Sequence, residues 1–435
     1  MASPPGLGRR FLRLTLLNVV ANITAPLVGL VDAGMLGHLP DLRFLGGVAL
    51  ASVIFDTLFW SCNFLRMSTT GLTAQARGRE DHRETWLALY RALAPGAGLG
   101  LLLLALTPVI REVGFAALQV ADELRGPAAA YLEARLWGAP AALANFALVG
   151  WFLGREESGR ALLMTVTANL ANIVLNYVFI LRLDLAAQGA GIASAVSQYL
   201  MLAVALSLML RAGKPLPWRW ADVLQREALG RLVRLNRDIF VRTLMLTGTL
   251  GVFTALSGWL GTEALVANTI LLRLMVFTAY FVDGAAFAVE SLAGIFHGAR
   301  DRATLRRLMV LALVVAEVVT VGVLAALLFF PRFVLRLLTS HQEVIDLGAQ
   351  LAPWLIPVLL FGAVAFIYDG LFLGLTAGRT LRNAMLLCTL GVFLPLAALA
   401  LWTSSNHLLW FALAVWMAAR GATLAWAGRP LLSTS

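Results

Sequence analysis

Asp32 lies in an otherwise apolar run of this chain, six residues after Pro26. A charged group in hydrocarbon costs about 3 kcal/mol or more unless it is paired or solvated, so such residues are functional candidates from the outset. Six residues span roughly 9 Å along a helix. The proline removes a backbone donor and can kink the segment that carries the acid. Farther on, Asn172 and Asn176 are four residues apart and share one helix face. A carboxylate in apolar surroundings beside neutral amide donors can load and release one proton. The plainer role for such a trio is a neutral, hydrogen-bonded packing cluster. Na⁺ prefers several oxygen ligands with more negative charge than one carboxylate provides, so this chemistry favours H⁺. Arg66, Asp283, Glu290 and Asp369 are further charges inside apolar runs, as are Asp56 and Glu317.

These residues must be positioned by membrane helices. Of 435 residues, 60% are hydrophobic and 13% charged, and the mean hydropathy is +0.82. Apolar runs near 20 residues, each long enough to cross a bilayer, recur along the whole chain. The spacing predicts twelve spans: 13–37, 44–70, 86–110, 127–153, 161–183, 189–211, 238–260, 264–292, 306–330, 349–375, 383–403 and 407–427. The run after the basic N-terminus contains Asn18, Asn22, Pro26 and Asp32 and continues into more spans, so it reads as a first transmembrane helix. With a cytoplasmic N-terminus, the cytoplasmic loops and both termini hold roughly 22 Arg and Lys, against roughly six in the opposite loops. Adding or deleting one span would scramble that asymmetry. On this orientation Asp32 and Asn176 both fall in the outer half of their spans, so depth permits an Asp32–Asn176–Asn172 cluster.

The chain also repeats itself. Gly150-Trp-Phe-Leu-Gly154 and Gly370-Leu-Phe-Leu-Gly374 end spans four and ten, 220 positions apart, and Leu72 and Gly78 match Leu292 and Gly298 at the same offset. Arg13-Leu-Thr-Leu-Leu-Asn18 and Arg231-Leu-Val-Arg-Leu-Asn236 open spans one and seven. Each half holds six spans, an even number, so the halves face the same way about an axis along the membrane normal. The expected architecture is an all-α polytopic membrane protein of two six-helix lobes. Residues 1–212 form the N-lobe, 213–237 a cytoplasmic inter-lobe loop and 238–435 the C-lobe. The Gly-x-x-x-Gly runs read as close helix packing.

The net charge of +10 is carried by arginines in short loops and the single Lys214, a pattern of membrane orientation rather than nucleic-acid binding. Cys62 and Cys388 sit in apolar spans and show neither metal-ligand nor disulfide spacing. Enzyme motifs are absent: there is no Walker loop, no His-Glu-x-x-His and no Gly-x-Ser-x-Gly. Without a nucleotide site, transport energy must come from an ion gradient.

Asn22-Ile-Thr-Ala-Pro26-Leu-Val-Gly-Leu-Val-Asp32 with Gly37-His38-Leu39 resembles the first helix of DinF-type transporters of the MATE (multidrug and toxic compound extrusion) family. Phe59-Trp-Ser61 with Phe64-Leu-Arg66-Met-Ser-Thr-Thr-Gly71-Leu-Thr-Ala-Gln75 resembles their second helix. Asp283-Gly284 with Glu290-Ser-Leu292, and Asp369-Gly370, resemble their eighth and tenth. The resemblance covers the whole chain in order. It implies two lobes about a central cleft, with export of amphipathic, often cationic compounds in exchange for H⁺ or Na⁺. By resemblance, Asp32 falls on the carboxylate that binds the coupling ion, with Asn172, Asn176 and Ser194 in the network around it. Some members carry a second Asp where this chain has Asn176, which leaves one carboxylate here. Asp369 falls where some members place a second-lobe cation ligand, but beyond Asp238 at its very start no acid on span seven accompanies it.

The expected function is therefore efflux of drugs or toxic organic cations by alternating access, coupled to H⁺ with Na⁺ as the alternative and needing no cofactor. Pro26 would be the hinge. Arg66 would either form a gate with Asp283 or Glu290 or snorkel to phosphate headgroups, and Asp369 would supply a cavity charge. The expected setting is the bacterial inner membrane, as a monomer in the lipid bilayer with both termini cytoplasmic and no nucleic-acid partner. A flippase for a lipid-linked precursor is the alternative; it would want a strongly basic central cavity, whereas the mid-span charges noted above are mostly acidic.

Overall fold

The computed structural model describes residues 6–329 and 331–432. Among them, all regular structure is helical. Twelve spans follow in order: α1 Leu7–Gly37, α2 Leu42–Gly78, α3 His82–Ala105, α4 Asp122–Leu136 with Ala139–Gly154, α5 Ser158–Arg182, α6 Ala186–Arg211, α7 Arg226–Trp259, α8 Thr262–Gly298, α9 Arg302–Phe329, α10 Gln342–Gly374, α11 Gly378–Trp402 and α12 Asn406–Leu431. Each falls on a span expected from the sequence. Eleven are long and apolar enough to cross a membrane singly; α4 is a pair of helices bent by 51°. The bend follows from Gly138 and Pro140. Gly138 brings the backbone against Ala195, whose Cα would lie 2.9 Å from any Cβ there, and proline cannot continue the ladder of the preceding turn.

The helices belong in lipid. Val310, Val314, Val318 and Val321 make an outward stripe along α9, each more than half exposed. Such a stripe is stable against acyl chains and costly against water.

Two compact units divide the chain: one holds the described residues up to Val19 and from Arg234 onward, the other runs from Val20 to Val233. The divisions fall within α1, after Val19, and within α7, after Val233. In the Val20–Val233 unit, Phe55, Leu132, Leu136 and Leu143 form one buried cluster and Trp86, Trp151 and Phe152 another. The interior of the other unit is built on Phe253, Leu355, Phe393, Trp410 and Trp416. In that unit, Asn18 Nδ2 donates to the Gly284 carbonyl at 3.3 Å, tying the start of α1 to α8.

The 220-residue repeat is visible in the helix starts: Leu42 and Thr262, His82 and Arg302, Ser158 and Gly378, Ala186 and Asn406. It extends to packing. A Cβ on Gly150 would strike the Arg66 carbonyl, and one on Gly370 the Ala286 carbonyl. Gly154 likewise abuts Thr70 and Gly374 abuts Glu290. Each unit thus uses its Gly-x-x-x-Gly run to seat one span directly on the backbone of another, as small residues permit. The interruptions recur too. A 3-10 turn at Ala352–Trp354 lies inside α10 as the bend lies inside α4, and π-turns occur at Tyr177–Arg182 in α5 and Thr389–Phe393 in α11.

The link between α6 and α7 is folded onto its own unit. Tyr90 donates to the Leu216 carbonyl at 2.7 Å, Arg83 pairs with Asp222 at 2.7 Å, and the Trp218 ring lies 4.9 Å from Tyr90. These contacts dock it on α3 within the Val20–Val233 unit.

Candidate functional site

Three helices of the Val20–Val233 unit bring the expected polar residues together. Asp32 comes from α1, where the helix runs unbroken through Pro26. Asn172 and Asn176 come from one face of α5, and Ser194 from α6. Asn176 Nδ2 donates to Asp32 Oδ1 at 2.5 Å and to Asn172 Oδ1 at 2.9 Å. Asn172 Nδ2 donates to Ser194 Oγ at 3.3 Å. Asp32 is half-buried, Asn172 is buried and Asn176 is inaccessible. The chain carboxylate–amide–amide–hydroxyl therefore runs from a partly open end into a closed one.

The π-turn begins at Tyr177, directly after Asn176. Such turns shift the face that a helix presents and often mark functional positions. Asn176 Oδ1 is buried and has no hydrogen-bond partner among the described residues. A buried acceptor without a donor is expensive. It gives the amide a second use beside Asp32. The Nδ2 group serves an ionised carboxylate, and Oδ1 can accept from the O–H of a protonated one. The two protonation states therefore prefer different amide orientations, as a two-state element requires.

Sequence reasoning missed the neighbours of this chain. Asn169 Nδ2 donates to Thr24 Oγ1 at 2.9 Å, a second polar tie between α5 and α1. Asn145 Nδ2 on α4 donates to the Gln198 carbonyl on α6 at 2.9 Å. Arg135 lies 3.5 Å from Asp56, donates to the Tyr131 hydroxyl at 2.6 Å and sits 3.7 Å above the Phe55 ring. The signal for Arg135 was present: an arginine four residues after a tyrosine inside a span.

The remaining candidates lie on α2, α8 and α10. Arg66 is 5% exposed on α2, and its Nε donates to Asn63 Oδ1 at 3.2 Å. Asp283 is partly exposed on α8, and Glu290 is fully buried there against Gly374. Asp369 on α10 is held by two arginines. Its Oδ2 accepts from Arg242 Nη2 on α7 and, at 2.8 Å, from Arg420 Nη2 on α12. Two guanidinium groups occupy this carboxylate, so in this arrangement it offers no seat to a cation. Arg242 and Arg420 were detectable as charges inside spans; their meeting on one aspartate was not.

Known proteins share this arrangement of helices. The family description MatE matches residues 18–178 and 239–412, one stretch in each repeat. DNA damage-inducible protein F of Escherichia coli K12 is 35% identical over 95% of this chain and 90% of its own length. The chain belongs to the MATE family. It is accordingly a multi-pass membrane transporter of the multidrug-efflux class and not an enzyme. A probable multidrug resistance protein NorM of a Synechococcus species is 26% identical over 83% of this chain and 79% of its own length. A MATE transporter solved in an outward-facing conformation superposes over the full length of both chains, with a TM-score of 0.89 at 20% identity. That likeness confirms the fold.

Proposed function

We propose that this MATE transporter exports amphipathic organic cations in exchange for protons, with Asp32 as the proton carrier. The observation that carries this reading is the bond between Asp32 and Asn176, whose amide holds a donor and an unused acceptor beside one carboxylate. Ionised, Asp32 is held by the Asn176 amide, and through it by Asn172 and Ser194. Protonated, Asp32 becomes a donor, and the network that ties α1 to α5 and α6 rearranges. Pro26, six residues earlier on α1, removes one helical hydrogen bond and lowers the resistance to bending at that point. The proton thereby biases which shape α1 adopts, and substrate binding biases the same equilibrium in the opposite sense.

NorM-type relatives are named for multidrug resistance, which supports drug-like cargo. The arginine-rich loops support a bacterial inner-membrane setting with cytoplasmic termini. The test is uptake of a fluorescent cationic dye by inside-out vesicles under an imposed pH gradient or an imposed Na⁺ gradient. An acid lumen should drive accumulation and a Na⁺ gradient alone should not; the reverse result would make Na⁺ the coupling ion.

A further inference from the structure

Arg242, Asp369 and Arg420 lie in one unit on α7, α10 and α12, with exposures of 5%, 4% and 1%. Both arginines donate through Nη2 to the same oxygen, Asp369 Oδ2. Two fixed cations and one carboxylate leave an excess of one positive charge, because arginine does not deprotonate in proteins.

The remaining contacts of Arg420 are uncharged. Arg420 Nη1 faces the Met417 sulfur at 3.3 Å, and its guanidinium lies 4.8 Å from the Trp416 ring and 5.6 Å from the Phe366 ring. These are soft, neutral groups. In addition, the Nε–H groups of both Arg242 and Arg420 are buried and meet no acceptor among the described residues. In a guanidinium, Nε–H and Nη2–H share one edge, the edge that binds anions side-on. Two unused donors therefore flank the carboxylate that the Nη2 atoms already hold.

A buried arginine elsewhere in the same chain is fully served. Arg91, 6% exposed, places Nε and Nη2 on the Asp222 carbonyl at 3.3 and 2.9 Å and Nη1 on Glu84 at 2.9 Å. Its charge is matched and its donors are used. In the Asp369 cluster two guanidinium groups share one carboxylate and both Nε–H donors are unused, and what would complete it has a definite chemistry: one negative charge that accepts from two N–H groups.

We propose that Arg242, Asp369 and Arg420 form a binding site for one small monovalent anion of halide size, held between the two Nε–H donors. The near-complete burial of all three side chains limits the ligand to a few ångströms. The site is separate from proton coupling at Asp32, and its anion neutralises the junction of α7, α10 and α12.

The test uses the full chain purified in detergent. Thermal unfolding is followed as sodium gluconate is replaced by sodium chloride at constant ionic strength. Chloride should raise the midpoint saturably by about 3 °C, as a ligand specific to the folded state does, and bromide should substitute for it. Arg242→Gln leaves one arginine balanced by Asp369 and should abolish the chloride dependence. Crystals grown in bromide should show an anomalous peak within hydrogen-bond range of both Nε atoms, a readout that needs no variant. Equal midpoints in gluconate and chloride would overturn the proposal. A chloride shift that survives in Arg242→Gln, or no bromide peak at this position, would do the same. Should Arg242→Gln fail to fold, the bromide peak decides.

Discussion

Asp32 is half-buried and its carboxylate meets the amide of Asn176, whereas Asp369 is 4% exposed and meets the guanidinium groups of Arg242 and Arg420. Both are aspartates in apolar spans and both were candidates for cation coupling. Neutral donors leave a carboxylate able to change its charge at modest cost. Two fixed cations paired with it make its charge structural, because removing it strands them in a low-dielectric interior. A mid-span acid is thus assigned by the charge of its partners, and not by its depth or by the helix that carries it.

Exchanging each acid for its amide breaks this comparison most sharply. Asp32→Asn should reduce proton-driven efflux to the level of empty vesicles, with expression and thermal midpoint close to wild type. Asp369→Asn should instead cost about 3–5 kcal/mol of stability, the penalty for breaking a buried ion pair from one side. Thermal unfolding and single-time-point efflux on both proteins check the pair; an unstable Asp32→Asn and a stable, inactive Asp369→Asn would invert the assignment.

Smaller effects are expected where the two units resemble each other. Gly154→Val and Gly374→Val place branched side chains against the backbones of Thr70 and Glu290. Each should cost about 1–3 kcal/mol by overpacking, to similar extents, which chemical denaturation can compare. An effect confined to one of them would show that the repeat is equivalent in geometry but not in energy.

Asn176→Asp sharpens the account of the first region. Two carboxylates at hydrogen-bond distance resist joint ionisation, so one proton is retained to higher pH. The pH of half-maximal efflux should rise by about one unit, with the folded protein otherwise intact. A profile that does not move would place the titrating group away from Asn176.

Much of the scaffold was legible in the sequence. The spans stand out because lipid demands long apolar helices. The repeat stands out because Gly150, Gly154, Gly370 and Gly374 keep their spacing wherever two spans touch at the backbone. The Asp32–Asn176–Asn172 trio was legible because i,i+4 spacing and the parity of the spans fix face and depth. Which lateral neighbour meets which was not legible. Arg242 and Arg420 lie 127 and 51 residues from Asp369, and no spacing rule selects those partners. The same holds for Arg135 on Asp56 and for Asp222 capping Arg91. The bend in α4 was written in Gly138 and Pro140, yet an apolar run across it reads as one span. The π-turn after Asn176 leaves no residue signature.

Proton movement through Asp32 can be followed by running the exchange backward: inside-out vesicles are loaded with cationic dye and with a pH-sensitive fluorophore, then diluted into dye-free buffer. Dye leaving the lumen should draw protons in and acidify it in the wild type, and Asp32→Asn vesicles should show no acidification beyond that of protein-free controls. Acidification at the wild-type rate in Asp32→Asn would contradict the account and move the coupling site elsewhere in the chain.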